Sequence, residues 1–328
     1  MAAAGARIRF PMERYTVLGF IEVLGKIPAH VRLLRTLEAE FRAGRYDLLI
    51  VVDYPGFHVR LAEAARRHRV KVLYYIAPQL WAWRPGRARR LRAAVDRLAV
   101  VLPFEAEFFA GQGLAAEYVG HPLLDRPAPP TRAAARATLG IPGGARVLGL
   151  FPGSRTQEVD RLWTPFLAAA RRLLAEGRCD VVVVAGTAEG AYPGGEGLVI
   201  HRGPPEMVFA AADAALAKSG TTTLEAALAD LPMVVAYRVN PLTSWLARRL
   251  LTVPWISLVN LVAGKGVVEE VLQGEVTPAI LAGRVAPLLD ENDPATRAQR
   301  EGLRLVRERL GGGGAARRVA SLAADLLG

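Results

Sequence analysis

The sequence predicts an α/β protein of two doubly wound, Rossmann-like domains facing a cleft. Three observations predict it. Short apolar runs alternate with longer helical stretches along most of the chain, the pattern of a parallel sheet with helices on both faces. The alternation stops once, at the Pro- and Gly-framed stretch 126–144 (RPAPPTRAAARATLGIPGG), and then resumes. The 328 residues are enough for two sizeable cores. The expected division is 1–144, 145–310 and a final helical segment, 311–328. A cleft between two such domains is the default substrate site.

The opening is irregular. MAAAGARIRF holds no complete strand–turn–helix unit, so the first domain is expected to be incomplete at its N-terminus. A doubly wound domain places its first strand centrally. Without that strand, unpaired edges and poor solubility are expected unless residues 1–10 supply it. Residues 17–34, VLGFIEVLGKIPAHVRLL, are strongly apolar, with Glu22, Lys26, His30 and Arg32 interspersed. They fit a core helix pair. They also fit an amphipathic element lying on a membrane, because Phe20, Ile21, Leu24 and Ile27 cluster between basic residues.

From residue 47 the pattern is clear. Residues 47–53 (DLLIVVD) read as a strand, 57–68 as a helix and 71–77 (KVLYYIA) as a strand. PQLWAW (78–83) is a loop, 84–95 a basic helix, 96–104 a strand, 105–112 a helix, and 117–125 a strand end with its exit loop. Ligands of such sheets bind beyond the carboxyl ends of the strands. That rule selects Asp53, the PQLWAW loop, Pro103-Phe104-Glu105 and Gly120-His121-Pro122.

In the second half, RVLGLFPGSR (146–155) is a strand ending in a Gly-Ser-Arg turn. A helix at 158–175, strands at 180–186 and 198–201, and a helix at 204–211 follow. The strand at 213–217 then runs through the turn Ser219-Gly220-Thr221 into a helix at 222–229 and a strand at 232–237. Strand, small-residue turn and helix N-terminus together offer unpaired backbone N–H groups to an anion such as a pyrophosphate. Glu225, one turn into the helix, can accept hydrogen bonds from both hydroxyls of a ribose. The competing reading is local: Ser and Thr cap helices, and an early Glu suits the helix dipole. The tail from 277 is helical, broken at Pro294 and at 311–314. Its last helix, 315–327, is expected to pack back on the first domain or to reach a partner.

Composition narrows the chemistry. The net charge of +11 favours anionic partners: nucleic acid, an anionic bilayer or phosphorylated substrates. The chain is 52% hydrophobic, yet no uncharged apolar run reaches the ~18 residues of a membrane span. The single cysteine, Cys179, excludes an internal disulfide. His30, His58, His68, His121 and His201 show no metal-ligand spacing with it. Neither G-x-G-x-x-G at a strand-to-helix turn nor G-x-x-x-x-G-K-[ST] is present, and no Asp-x-Asp offers to hold a divalent ion on a sugar nucleotide. Two anion-ready turns remain, at Ser154-Arg155 and Ser219–Thr221, with Glu225 beside the second. They favour a nucleotide diphosphate held without metal or other cofactor, Arg155 neutralising the departing diphosphate.

A set of ordered motifs resembles the lipid-A-disaccharide synthase family, which has the two-domain GT-B glycosyltransferase fold. They run from residue 12 to the end: GFIEVLGKIP, VDYPGF (52–57), YYIAPQLWAWR (74–84), LPFEAEFF (102–109), VGHPLLD (119–125), FPGSRTQE (151–158), KSGTTTLE (218–225), PMVVAYR (232–238) and SLVNLVAGKGVVEEVLQ (257–273). The resemblance implies transfer from UDP-2,3-diacylglucosamine to 2,3-diacylglucosamine 1-phosphate, releasing UDP and forming the β-1′,6-linked lipid A disaccharide. The transfer inverts the anomeric centre, so a base should deprotonate the acceptor 6-hydroxyl. Residue by residue, the family's catalytic aspartate falls on Asp53. Its UDP-site arginine and asparagine fall on Arg155 and Asn260, and its late acid and glutamine on Glu270 and Gln273. Glu225 would bind the ribose, with Ser154, Ser219, Gly220 and Thr221 at the phosphates. Phe20, Ile21, Leu24 and Ile27 correspond to the family's membrane-contacting region, implying a peripheral cytoplasmic enzyme on the inner membrane. A homodimer is left open.

The departures fall at the acceptor side. The family's opening strand and G-E-x-S-G-D turn have no counterpart here. Gly56 stands where the family has a second aspartate, His58 where it has asparagine, and Val259 where it has the proline before Asn260. His58 is either a surface helix residue or an alternative base beside Asp53. Two rival functions stay open: a GT-B glycolipid transferase with another acceptor, and a degenerate protein that binds UDP without turnover. Nucleic-acid binding ranks last, because the basic helix at 84–95 lacks interleaved aromatics.

Overall fold

Two all-parallel sheets organise the chain in this computed structural model, which describes residues 4–11, 20–83, 85–240 and 253–328. Nothing is described of the side chains of residues 20–26, 83 and 85. The first sheet takes the order β1 (Leu48–Val52), β2 (Lys71–Tyr75), β3 (Arg97–Val100), β4 (Ala116–Tyr118). Around it run α1 (Phe20–Arg42), α2 (Pro55–Arg67), α3 (Leu80–Trp83), α4 (Ala88–Ala94) and α5 (Pro103–Gly111). Val72, Leu73 and Tyr74 of β2 are all buried, so consecutive residues cover both faces, as a strand between two helical layers requires.

The linker carries α6 (Arg132–Thr138). The second half then builds β5 (Val147–Phe151), α7 (Thr156–Ala175), β6 (Val181–Ala185), β7 (Val199–His201), α8 (Glu206–Ala211), β8 (Ala214–Lys218), α9 (Thr221–Leu228), β9 (Met233–Tyr237), α10 (Leu258–Ala263) and β10 (Glu269–Leu272). Its six strands lie in the order β10-β9-β8-β5-β6-β7. From β5 the chain first builds outward through β6 and β7, then returns to the other side of β5 with β8, β9 and β10. The point where the direction reverses is therefore the β5/β8 pair, registered Phe151 to Ala217. All five residues of β5 are buried. Gly149 packs closely there: a Cβ would sit 3.0 Å from the Phe151 ring and 3.1 Å from the Cβ of Ala212.

Three helices close the chain: α11 (Pro278–Val285), α12 (Pro294–Leu310) and α13 (Ala315–Leu327). The last returns to the first sheet and packs on β1 and β2. Asp125 caps it, its carboxylate accepting from the backbone N–H groups of Gly314, Ala315 and Ala316. Arg318 donates to the carbonyl of Val119 at 2.8 Å, and the Tyr118 hydroxyl to that of Leu310 at 2.7 Å. One hydrophobic cluster joins Leu73, Trp81 and Leu102 of the first half to Val208, Phe209 and Leu258 of the second.

Several local expectations change. From residue 20 on, the apolar stretch is one helix and not a pair: α1 runs unbroken from Phe20 through Pro28 to Arg42, and residues 17–19 lie outside the described residues. The PQLWAW loop contains the short α3, held by a buried hydrogen bond from Trp81 Nε1 to Glu105 (2.9 Å). The α6 helix packs on α8, with the buried Arg136 donating to the Ala211 carbonyl at 3.0 Å. Residues 4–11 form no strand; Arg9 instead pairs with Glu40 at 2.7 Å and donates to the Tyr46 hydroxyl. Among the described residues β1 is an edge strand, and its Ile50 and Val52 are each 46% exposed.

Candidate active site

Two helices begin side by side at the β5/β8 reversal, which is where open α/β sheets bind ligands. β5 leads through Gly153-Ser154-Arg155 into α7, and β8 through Ser219-Gly220 into α9. Neither helix N-terminus is capped by a side chain. The local reading of Ser and Thr as caps of α9 therefore fails: Thr223 turns its hydroxyl back to the Gly220 carbonyl (2.7 Å), and Ser219 donates to the Ile256 carbonyl (3.1 Å). Gly220, with φ 155° and ψ −161°, occupies a region essentially reserved for glycine. Uncapped backbone N–H groups and the positive ends of two helix dipoles thus share one mouth.

A carboxylate that the sequence reading did not single out joins the two turns. Glu158, in the first turn of α7, accepts from the backbone N–H of Ser154 (3.1 Å). It pairs with Lys218 at the end of β8 (2.8 Å) and with Arg155 (3.3 Å). Burial, the largest single influence, raises its carboxyl, but Lys218, the Ser154 N–H and Arg155 together hold it below the usual range. Gly153, at φ 130°, is required because a Cβ would stand 2.5 Å from that of Glu158. Both residues lie inside quoted motifs, FPGSRTQE and KSGTTTLE, but only the strand pairing of β5 with β8 brings them together. The Arg155 side chain, though paired with Glu158, is 65% exposed at the mouth of the two turns.

Glu225 lies one turn into α9, its side chain 17% exposed, and it is already engaged. Arg126, just beyond the first domain's exit loop, donates to its carboxylate at 2.5 Å and to Glu206 at 3.2 Å. The guanidinium engages one carboxylate oxygen, Oε1, so a ligand reaching for that oxygen competes with Arg126.

Asn260, Glu270 and Gln273, which the resemblance assigns to the UDP site, all make hydrogen bonds within the chain. The buried Asn260 has every polar position filled: its amide donates to Val268 O and Glu270, and its oxygen accepts from Val267 N and Val268 N, all at 2.8–2.9 Å. Glu270 accepts from the backbone N–H groups of Ile256 (2.9 Å) and Ser257 (2.8 Å), just ahead of α10. Ile256 in turn receives the Ser219 hydroxyl. Asn260 and Glu270 therefore brace the loop behind the Ser219-Gly220 turn. Gln273 sits at φ 53° after β10 and accepts from Val239 N at 3.3 Å.

In the first domain, Asp53 ends β1 and Tyr54 opens α2, both in left-handed backbone (φ 50° and 48°). Two successive non-glycine residues in that region store strain of the kind found at functional sites. The Asp53 carbonyl accepts from the Tyr74 hydroxyl and from His58 Nδ1, each at 2.8 Å. A carbonyl only accepts, so His58 carries its proton on Nδ1 and keeps a lone pair on Nε2. Burial lowers its pKa. Beside it, the Tyr54 hydroxyl lies 3.0 Å from His30 Nε2. His121 is buried, accepts from Leu123 N at 3.2 Å, and is pushed down to about 4 by burial and then by Arg126. Ile27 is exposed on α1, whereas the side chains of Phe20, Ile21 and Leu24 lie outside the described residues. Among the described residues no cluster of His, Cys, Asp and Glu is arranged to hold a metal ion, and no helix is long and apolar enough to cross a membrane.

Comparison with known proteins supplies the context. The model of the family described as lipid-A-disaccharide synthetase matches residues 1–192 and 195–321. The lipid-A-disaccharide synthase of Geobacter sulfurreducens is 40% identical over 339 residues, covering 100% of this chain and 88% of its own. That of Anaeromyxobacter sp. strain K is 41% identical over 331 residues, covering 97% and 85%. Among solved structures, UDP-GlcNAc 2-epimerase from Neisseria meningitidis bound to UDP-GlcNAc superposes with TM-score 0.60 at 11% identity, over 90% of this chain and 81% of that one. MurG of Acinetobacter baumannii superposes with TM-score 0.56 at 15% identity, over 90% and 78%. These two show the two-domain fold alone.

Proposed function

The chain belongs to the lipid-A-disaccharide synthase family of GT-B glycosyltransferases and forms lipid A disaccharide, and on that premise we propose how its residues divide the reaction. The donor, UDP-2,3-diacylglucosamine, lies across the β5/β8 reversal with its diphosphate at the two helix N-termini. Arg155 neutralises the departing phosphate oxygens, and Ser154, Ser219, Gly220 and Thr221 line the same mouth. The ribose hydroxyls take the Glu225 carboxylate from Arg126. The acceptor, 2,3-diacylglucosamine 1-phosphate, presents its 6-hydroxyl from the first domain. Its oxygen bonds to the anomeric carbon as the bond to UDP breaks, and its proton passes to Asp53. The reading uses no metal or other cofactor.

The observation that carries this reading is the pairing of two uncapped helix N-termini at the reversal with a carboxylate one turn away. Titration calorimetry on the full chain tests it. Glu225→Ala should weaken UDP by about 1–3 kcal/mol, the cost of unpairing two hydroxyls from a charged acceptor. Unchanged affinity in a folded variant returns Glu225 to a structural partner of Arg126. One observation favours His58 as an alternative base: its Nδ1–H is spent on the Asp53 carbonyl, leaving Nε2 to accept a proton.

The membrane assignment rests on α1 and the segment before it. Ile27, Ile8 and Phe10 are exposed apolar side chains, and Phe20, Ile21 and Leu24 complete the cluster in sequence. We place this end of the first domain on the cytoplasmic face of the inner membrane, where acylated substrates are presented.

A further inference from the structure

At the other end of the second sheet, where β5 and β8 begin, lies a cavity of about 470 Å³. That volume falls in the range of small-molecule sites, ~300–1,000 Å³. Arg132, Arg136, Arg146, Arg178 and Arg300 all line it. Against them stand Asp213 and, at the rim, Asp290 and Glu291. Asp213 is already committed: it accepts from Val147 N (2.7 Å) and Arg136 (2.8 Å) and pairs with Arg132. Arg146 is held by Asp180 at 2.9 Å.

Arg300 is different. Its Nε is buried without a hydrogen-bond partner. Its charge also acts on Arg132, whose guanidinium is lowered by burial first and by Arg300 second, with Glu291 opposing. Arg136 is likewise lowered by burial and then by Arg132. Like charges held together in a partly buried space, one with an unsatisfied donor, favour a bound anion. The walls come from both segments that connect the halves of the chain: the linker helix α6, and the residues leading into α12, whose successor α13 returns to the first sheet.

We propose that this cavity is a second anion site, built for a phosphate or diphosphate group and separate from the nucleotide cleft. The chemistry suits either a free phosphate ester or an anionic lipid headgroup. The proposal does not depend on the nucleotide reading, since none of its residues lies at the carboxyl ends of β5 and β8.

The test is calorimetric titration of the full chain with inorganic pyrophosphate, the cleft being saturated with UDP. A further binding event is expected. It should weaken about tenfold or more in Arg300→Gln, the loss of a charge-assisted contact, and stay unchanged in Arg155→Ala. Absence of binding under UDP overturns the proposal, as does binding lost in Arg155→Ala but retained in Arg300→Gln. The wild-type titration decides if the Arg300 variant does not fold. Sedimentation with phosphatidic acid vesicles separates the sources. Weaker vesicle binding by Arg300→Gln assigns the site to a lipid headgroup; unchanged vesicle binding with weakened pyrophosphate binding assigns it to a soluble ester. Either upholds the site.

Discussion

Arg126 occupies Oε1 of Glu225, so a ribose proposed at that carboxylate competes with it for this oxygen. The pair is half-exposed on the arginine side, so its strength is modest, about 0.2–1 kcal/mol. Arg126→Ala should therefore tighten UDP binding by up to about fivefold in calorimetry; weaker binding would mean that Arg126 itself contacts the diphosphate. For the chemical step, Asp53→Asn should lower turnover by about two to four powers of ten with UDP affinity unchanged. Turnover surviving within a few-fold would transfer the base to His58. In that case the acid limb of the pH–rate profile should lie below the ordinary histidine value of ~6.5, because burial lowers His58 and a base must be unprotonated to act. His121 gives a stability prediction with the same sign. Its folded pKa of about 4 lies below the unfolded value, so protons bind the unfolded chain more readily. The stability it contributes is intact above ~6.5 and is lost as pH falls towards 4. His121→Asn keeps an acceptor for Leu123 N, and its melting temperature should fall less over that interval than the wild type's.

At the scale of elements, most strands and helices were legible because each apolar run is bounded by a turn residue or a charge. β5, β6 and β8 are short and continuously apolar, and the helices between them are long enough to be told apart. Short pieces were not. α10 and β10 lie within SLVNLVAGKGVVEEVLQ, where a six-residue helix and a four-residue strand leave too few residues to show a period. α1 reads as two helices because Pro28 interrupts the pattern, yet the helix continues through it. Of the candidate site, the local placement was legible: the two turns, and Glu225 one turn into α9. Its long-range parts were not: Glu158 meets Lys218 through the β5/β8 pairing, and Arg126 meets Glu225 across 99 residues. Asn260 and Glu270 bond to backbone groups that spacing alone does not bring near. The edge strand β1 yields its own prediction. An edge that is unpaired among the described residues and carries exposed Ile50 and Val52 invites strand-to-strand association. Ile50→Lys with Val52→Lys should reduce self-association in sedimentation velocity; unchanged association would place the contact elsewhere.

In the whole molecule the two halves are tied by the linker helix α6 and by α13, which returns to the first sheet. Replacing Phe20, Ile21 and Leu24 with serine should release the chain from anionic vesicles while preserving its melting temperature. Each buried apolar side chain contributes about 1.5–3 kcal/mol to such binding, so the triple change is large enough to detect. Loss of folding would instead make those residues core. The central claim, that the cleft transfers an acylated sugar from UDP to an acylated sugar phosphate, is tested most directly by one assay. The purified full chain is incubated with UDP-2,3-diacylglucosamine and 2,3-diacylglucosamine 1-phosphate in detergent micelles, and UDP and glycolipid products are quantified together by mass spectrometry. The account predicts one disaccharide 1-phosphate for every UDP released, with neither formed when the acceptor is omitted. UDP release without disaccharide, or at the same rate without acceptor, would contradict it.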